Sequence, residues 1–553
     1  MHNKSTMDNP IQSKEYDVII IGAGATGAGT ARDCSLRGLK TLLVERFDFT
    51  AGATGRNHGL LHSGARYAVT DGESATECIS ENMILRRIAR HCVEETGGLF
   101  VTLPEDDLGY QSKFIESCQA AGIDAKAIDP KEAIKMEPAV NPDIIGAVTV
   151  PDGAVDPFRL TTANALDARI HGADILTYHE ATDLITENGA VVGVTLRPQN
   201  GGKPFDVRSR LVINAGGIWG AGIAAKIGVK INMFPAKGAL LIFGHRVNNV
   251  VINRCRKPAD ADILVPGDTI SLIGTTSSRV PYDQIDNMEV TQEEVDILLR
   301  EGMKIAPSLA YTRILRAYAG VRPLIASDDD PSGRSISRGI VCLDHATRDG
   351  VEGLITISGG KLMTYRLMAE WAADMACRKL GVTARCVTAE RPLPGSEPEA
   401  EPEKHRFKKS HIIELSTDQK AAYGRHGSLS SEITHTEGAA DDALVCECEQ
   451  VSVAETRYAI ERLHVNNLIN LRRRTRLGMG TCQGGICACR ASAILAEHLG
   501  HEKAIDDLAS FVNERWKGMQ PVAWGQTLVE ANFSAWIYQG VCGLAPDNAH
   551  PSR

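Results

Sequence analysis

The 553-residue chain contains no uninterrupted apolar run of about 18 residues, so no segment is suited to cross a bilayer as a helix. Residues 1–15 are polar and lack the apolar stretch of a signal peptide, which leads to the expectation of a cytoplasmic chain with a flexible N-terminus. Positive charge is not in excess: 60 Lys and Arg stand against 69 Asp and Glu, and the net charge of −9 argues against a nucleic-acid binder. No internal repeat is evident. What is present is ordinary for a globular protein, 43% hydrophobic and 23% charged, but the length exceeds a single core and predicts two or three domains. In a cytoplasmic setting the 14 cysteines read as thiols or metal ligands rather than disulfides.

The chain is organised around Tyr16–Glu45, which reads as strand, glycine turn, helix and second strand. Val18, Ile19, Ile20 and Ile21 suit a strand buried on both faces. Gly22, Gly24 and Gly27 follow in G-x-G-x-x-G spacing: the first for the tight turn, the second for approach of a pyrophosphate to the backbone, the third for helix–strand packing. The second strand ends at Glu45, eighteen residues after Gly27, where a carboxylate can accept hydrogen bonds from ribose hydroxyls. The pattern predicts a dinucleotide and leaves FAD and NAD both open.

The next stretch, RFDFTAGATGRNHGLLHSGARY, lacks periodicity yet gathers His58, His62, Arg66 and Tyr67 beside the expected cofactor. Residues 74–91 read as a helix with Ala75, Ile79, Met83, Ile84 and Ile88 on its core face. RLVINAGG ends in another glycine turn, at Gly216, able to touch the same dinucleotide from the opposite side. Thr291 and Glu294 form a capping-box pattern before a helix that Pro307 ends. ISGGKLMTYR gives a last strand, a turn at Gly359 and Gly360, and a helix. From Arg391 the character changes to a Pro- and Glu-rich linker, taken as 391–440, with 410–440 weakly structured. A compact cysteine unit follows over 441–495, then an extension over 496–553 whose aromatics read as packed core or partner surface.

Cys446-x-Cys448 and Cys482-x4-Cys487 are separated by 33 residues, and the four thiolates suit zinc or an iron–sulfur cluster. Glycine-rich TCQGGICACR offers backbone donors to thiolates, and Cys489 reads as a spare. The basic run Arg472, Arg473, Arg474 and Arg476 reads as a solvated or partner-facing surface, or as an offset to an anionic cluster. A second cationic set, Arg66, Arg322, Arg338 and Lys361, sits at turns and strand ends with few acids nearby, and a phosphate dianion needs several such cations.

The cysteine spacing resembles the [2Fe–2S] domain of bacterioferritin-associated ferredoxin. The GxGxxG opening, GLLHSGARY, INAGGIWG, AGVRPL and SGGKLMTYR together resemble the FAD-dependent glycerol-3-phosphate dehydrogenases, and the added cysteine domain resembles the catalytic A subunits of their anaerobic branch. That resemblance implies an α/β fold of the D-amino-acid oxidase and glycine oxidase type over 16–390, with interleaved FAD-binding and substrate regions. It implies non-covalent FAD held by Gly22, Gly24, Gly27, Glu45, Gly216 and Gly360. It implies substrate-binding Arg66, Tyr67, Arg322, Arg338 and Lys361, and a [2Fe–2S] cluster on Cys446, Cys448, Cys482 and Cys487. It further implies oxidation of sn-glycerol 3-phosphate to dihydroxyacetone phosphate. Electrons would pass to menaquinone through a second flavin-binding subunit, then through a membrane-anchoring iron–sulfur subunit, with the assembly at the cytoplasmic face of the inner membrane.

One departure concerns the general base. Aerobic relatives carry KGSH where this chain reads KGAL, Lys237–Leu240, so the histidine of that pattern is absent. His62 is the replacement candidate, with a purely orienting function beside the flavin as its alternative. Two other readings stand beside the dehydrogenase: an oxidase or dehydrogenase of 2-hydroxy acids, amino acids or opines, and a redox sensor with an inert flavin domain. The Arg322, Arg338 and Lys361 set favours phosphate over a carboxylate, and the intact HSGARY and GGK motifs speak against the sensor.

Overall fold

The computed structural model describes residues 11–325, 339–397, 416–433 and 440–544. The run Val18–Ile21 lies in strand Glu15–Ile21 and is buried on both faces, as its unbroken apolar character predicts. Val18 and Ile20 pack with Ala28, Ala31 and Leu43, whereas Ile19 and Ile21 pack on the other side with Leu42, Val44 and Val194. The strand is flanked in parallel by Thr41–Val44 and Phe205–Asn214. Asp174–Leu176 and Leu354–Gly359 extend the sheet in parallel on either side, and Ile340–Asp344 closes one edge antiparallel. Helices Ala25–Leu36, Pro157–Ile170 and Tyr365–Leu380 cover one face with small side chains, among them Ala28, Ala165 and Ala372. Alanine at those contacts lets the first helix lie close to the strand it follows, which the glycine turn requires.

A second, nine-stranded sheet supplies the roof of the site. Its long strands Met233–Phe243 and Ile314–Ile325 pair antiparallel with Ala236 opposite Arg322 and Gly238 opposite Gly320. Helix Gln292–Ile305 backs this sheet through Val295, Leu298 and Ile305. Its predicted capping box forms in both directions between Thr291 and Glu294, and the helix ends before Pro307.

The C-terminal unit is helical. Val453–Arg462, Leu468–Thr475, Cys487–Leu499 and His501–Met519 surround a core that contains Cys446, Leu471, Cys487, Phe511 and Tyr538. The tail aromatics divide: Phe511 and Tyr538 are buried in this core, while Trp516, Trp524, Phe533 and Trp536 are exposed. Among the described residues, no helix is long and apolar enough to cross a membrane.

Three local readings change. Met83 is exposed, because helix Gly72–Ile88 turns Ala75, Cys78, Ile79, Leu85 and Ile88 inward and Met83 away from them. Within the segment read as weakly structured, Thr417–His426 is helical, capped by Ser416 and Gln419 and held by Arg425 on buried Glu455 at 2.7 Å. An ion pair to a distant residue leaves no apolar periodicity to read. Three arginines of the basic run face acids of the chain itself: Arg473 and Arg474 both reach Asp48, at 3.0 and 2.7 Å, and Arg476 reaches Glu449 and Asp156. They join the C-terminal unit to the dinucleotide-binding half.

Candidate active site

The glycine turn is shaped by close approach. Gly22 has φ +102°, and a Cβ there would lie 2.6 Å from the Ala215 carbonyl oxygen. A Cβ on Gly27 would lie 1.8 Å from the Gly22 oxygen, so the helix can start here only with glycine. Ala215 donates its N–H to the Ile21 oxygen at 2.9 Å, which ties the second glycine turn, at Gly216, to the first. Asn214 steadies that turn by accepting from the Gly216 N–H at 3.2 Å and donating to the Gly220 oxygen at 2.8 Å. Glu45 accepts from the backbone N–H of Ala23 at 2.8 Å and of Phe47 at 2.9 Å. Burial pushes its carboxyl up, and the two amides work against that shift.

A cavity of about 1390 Å³ runs from this turn to the roof sheet. Its walls include Gly22, Gly24, Glu45 and Gly216 at one end and His62, Arg66, Tyr67, Arg322, Gly360 and Lys361 at the other. Thus every described residue of the predicted cofactor and substrate sets except Gly27, which lies behind the turn, lines one space. Arg338 lies outside the described residues.

The cationic end is built as follows. Arg322 extends over the Cα of Gly238, where a Cβ would meet its Nη2 at 2.6 Å, and donates to the Thr275 hydroxyl at 2.6 Å and the Thr276 carbonyl at 3.2 Å. Arg66 departs from the expectation of few nearby acids, because it donates to Asp262 at 3.1 Å and to the Ala259 carbonyl at 2.9 Å. Its Nη1 is buried with no hydrogen-bond partner, so one arm of the guanidinium is held while the other keeps its donor capacity. Lys361 follows the left-handed pair Gly359 and Gly360, and its Nζ stands 4.7 Å above the Tyr67 ring. A Cβ on Gly360 would strike the Met368 sulfur at 2.4 Å.

His62 is 7% exposed, and its ring lies 5.5 Å from that of Tyr67 and 6.2 Å from that of His58. Its backbone carbonyl accepts from Asn82 at 3.0 Å, and the next N–H, from Ser63, donates to buried Asp152 at 2.7 Å. Asn82 and Asp152 were not singled out from the sequence. Their effect passes through backbone groups, and only Asp152, in VPDGAVD, stands in a motif-like segment. Leu240, at the position of the missing histidine, lines the cavity, while Lys237 turns away to pair with Glu294 at 2.7 Å.

Among the described residues, no set of three or more His, Cys, Asp or Glu side chains stands in metal-site geometry. The four cysteines nevertheless act on one another. Cys487 holds the Cys446 thiol down, Cys448 and Cys487 hold that of Cys482 down, and the thiols of Cys448 and Cys487 are raised in turn. The backbone at Gly478, Gly484 and Ile486 adds to the lowering of Cys446 and Cys482. Cys489, read as a spare, lies 3.0 Å from Cys542 instead.

A glycine-cradled dinucleotide turn that shares a cavity with a cationic pocket under a second sheet defines a flavoprotein oxidoreductase architecture. The chain belongs to the FAD dependent oxidoreductase family, whose model matches residues 17–366. Within that class it is similar to the A subunits of anaerobic glycerol-3-phosphate dehydrogenases. That of Haemophilus influenzae is 62% identical over 537 residues, which cover 97% of this chain and 94% of that protein. The Escherichia coli K12 protein of the same description is likewise 62% identical, over 96% of this chain and 98% of its own. The fold is shared with the FAD-complexed glycerol-3-phosphate dehydrogenase of Bacillus halodurans, at TM-score 0.69 and 22% identity, over 92% of this chain and 96% of that one.

Proposed function

We propose that this chain oxidises sn-glycerol 3-phosphate to dihydroxyacetone phosphate with FAD as electron acceptor. The observation that carries the reading is the single cavity with a dinucleotide turn at one end and Arg66, Arg322 and Lys361 at the other. The identity to the anaerobic dehydrogenase relatives over nearly the whole chain supports it.

Gly22, Gly24, Gly27 and Gly216 leave the space that FAD would fill, Glu45 stands where its ribose would lie, and Gly360 borders its far end. When bound, FAD supplies the acceptor for the hydride that leaves C2 of the substrate. Arg322 and Lys361, with Arg338 by resemblance, take the substrate phosphate, and Arg66 and Tyr67 orient the carbon chain. His62 takes the proton of the C2 hydroxyl, so that loss of hydride and proton leaves the carbonyl of the product. Leu240, in place of a histidine, keeps that wall apolar, and His62, its ring 5.5 Å from that of Tyr67, stands in as the base.

The four cysteines fit a [2Fe–2S] cluster in donor chemistry: four thiols that perturb one another's titration, two of them held down with the help of nearby backbone amides. Such a cluster carries one electron at a time and would divide a reduced flavin's pair for a membrane quinone. A flavin-binding partner and a membrane-anchoring iron–sulfur partner complete this reading, with the chain attached peripherally at the inner membrane. The subunit designation of the relatives supports an assembly of several chains.

The test is anaerobic reduction of the bound flavin. Bleaching by sn-glycerol 3-phosphate, and not by 2-hydroxy acids, amino acids or opines, is expected; absence of bleaching overturns the reading. Cys482→Ser should leave that bleaching intact while abolishing electron transfer to quinone, and an undiminished quinone rate removes the cluster from the path.

A further inference from the structure

A second and larger cavity, about 1980 Å³, lies on the opposite side of the loop Thr50–His58 from the flavin-side cavity. Its far wall is the C-terminal unit. Arg316 enters it from strand Ile314–Ile325, Arg472 and Arg476 from the end of helix Leu468–Thr475, and Arg515 from helix His501–Met519. Arg316, Arg472 and Arg515 differ from Arg473 and Arg474, whose charges are met by Asp48. Nε and Nη1 of Arg316, Nε and Nη1 of Arg515, Nε of Arg472 and Nη2 of Arg476 are all buried with no hydrogen-bond partner.

Arg515 is 6% exposed and bound on one side only, where Nη2 donates to Gln483 at 2.7 Å. Arg316 is seated against Gly518, where a Cβ would come within 2.8 Å of its Nε and Nη2. Arg476 has counter-charges in Glu449, Asp156 and Asp268, but Arg316, Arg472 and Arg515 form no ion pair in the described structure. Burial pulls all three below the usual arginine range. Repulsion from Arg316 adds to it at Arg472 and Arg515, whereas at Arg316 the added repulsion comes from Arg56. Tyr318 and Glu514 oppose the shift at Arg316, Tyr318 at Arg472, and Cys482 and Cys487 at Arg515.

Uncompensated buried cations are among the costlier arrangements a fold can hold. Several guanidinium forks converging on one space are the recognition element of a phosphate, whose terminal oxygens accept from more than one fork at a time. A lone carboxylate would meet one of the three. We propose that this cavity binds a phosphate-bearing small molecule through Arg316, Arg472 and Arg515, at the joint between the dinucleotide-binding half and the cysteine unit. The site is separate from the substrate pocket and does not depend on the reaction proposed above.

The test is titration calorimetry of the full-length, FAD-loaded chain with inorganic pyrophosphate, in wild type and in the Arg322→Gln background that disables the substrate pocket. One saturable site should persist in Arg322→Gln and weaken at least tenfold in Arg472→Gln and in Arg515→Gln. Removing an uncompensated charge should also raise the melting temperature of Arg472→Gln above wild type in phosphate-free buffer, with the order reversed at saturating pyrophosphate. That crossing separates ligand binding from a purely structural contribution. The proposal is overturned if no saturable binding occurs, if Arg472→Gln and Arg515→Gln titrate like wild type, or if binding disappears in Arg322→Gln alone. It is overturned equally if hexaglutamate binds and pyrophosphate does not, which would mark the surface as a dock for an acidic protein segment.

Discussion

Asp48→Asn isolates the joint between the two halves of the molecule. Asp48 is 1% exposed and accepts from Arg474 Nη2 at 2.7 Å, Arg474 Nη1 at 3.2 Å and Arg473 Nη1 at 3.0 Å. The Arg474 side chain is 1% exposed, so loss of the carboxylate leaves a buried cation with no counter-charge. Breaking one partner of such a pair costs about 3–5 kcal/mol. The amide oxygen retains part of the hydrogen bonding, which puts the variant near about 3 kcal/mol, or roughly a 100-fold shift in the local opening equilibrium. Hydrogen exchange reads this directly. Amides of helix Leu468–Thr475 should exchange roughly 100-fold faster in the variant, while those of Glu15–Ile21 keep their wild-type protection. Equal exchange of the helix in both proteins would refute the claim that this ion pair holds the joint. Acid should mimic the substitution. Burial alone would raise the Asp48 carboxyl, but Arg474 and Arg473 outweigh it and hold the group below its usual value. A depressed folded pKa contributes stability that is present above about pH 3.9 and is lost as the pH falls through the folded value.

Gly27→Ala places a Cβ 1.8 Å from the Gly22 oxygen, so helix and turn must part by more than 1 Å; FAD content after purification should fall at least tenfold, and full retention would contradict the packing argument. His62→Ala should lower turnover by about 100-fold or more while FAD retention and the melting temperature stay near wild type, and near-normal turnover removes His62 as the base. Asp507 accepts from the Leu468 N–H at 2.7 Å, and burial pushes its carboxyl up to about 6. A raised folded pKa contributes stability that is complete below about pH 3.9 and lost as the pH rises through 6, so Asp507→Asn should flatten the stability profile across that window; an unchanged profile counts against the burial argument.

The covalent order of residues was enough for everything that rests on local geometry. The glycine spacing, the apolar run before it and the acid at Glu45 belong to one βαβ unit of short-range contacts, and they carried the dinucleotide prediction without tertiary information. The capping box at Thr291 and Glu294 was legible for the same reason, since both partners lie within one turn. What the fold alone decided are pairings over long separations. Arg474 and Asp48 are 426 positions apart, and nothing in a run of arginines says whether it faces water or a buried carboxylate. Arg66 and Asp262 met across 196 positions, which removed the apparent scarcity of acids around that cation. Asn82 holds the His62 carbonyl by a backbone contact that leaves no side-chain signature. The cluster of Arg316, Arg472 and Arg515 is drawn from a strand and two helices, and only packing reveals that these three lack the ion pairs their neighbours possess. Local propensity is written residue by residue, whereas compensation of charge is a property of the space that the chain encloses.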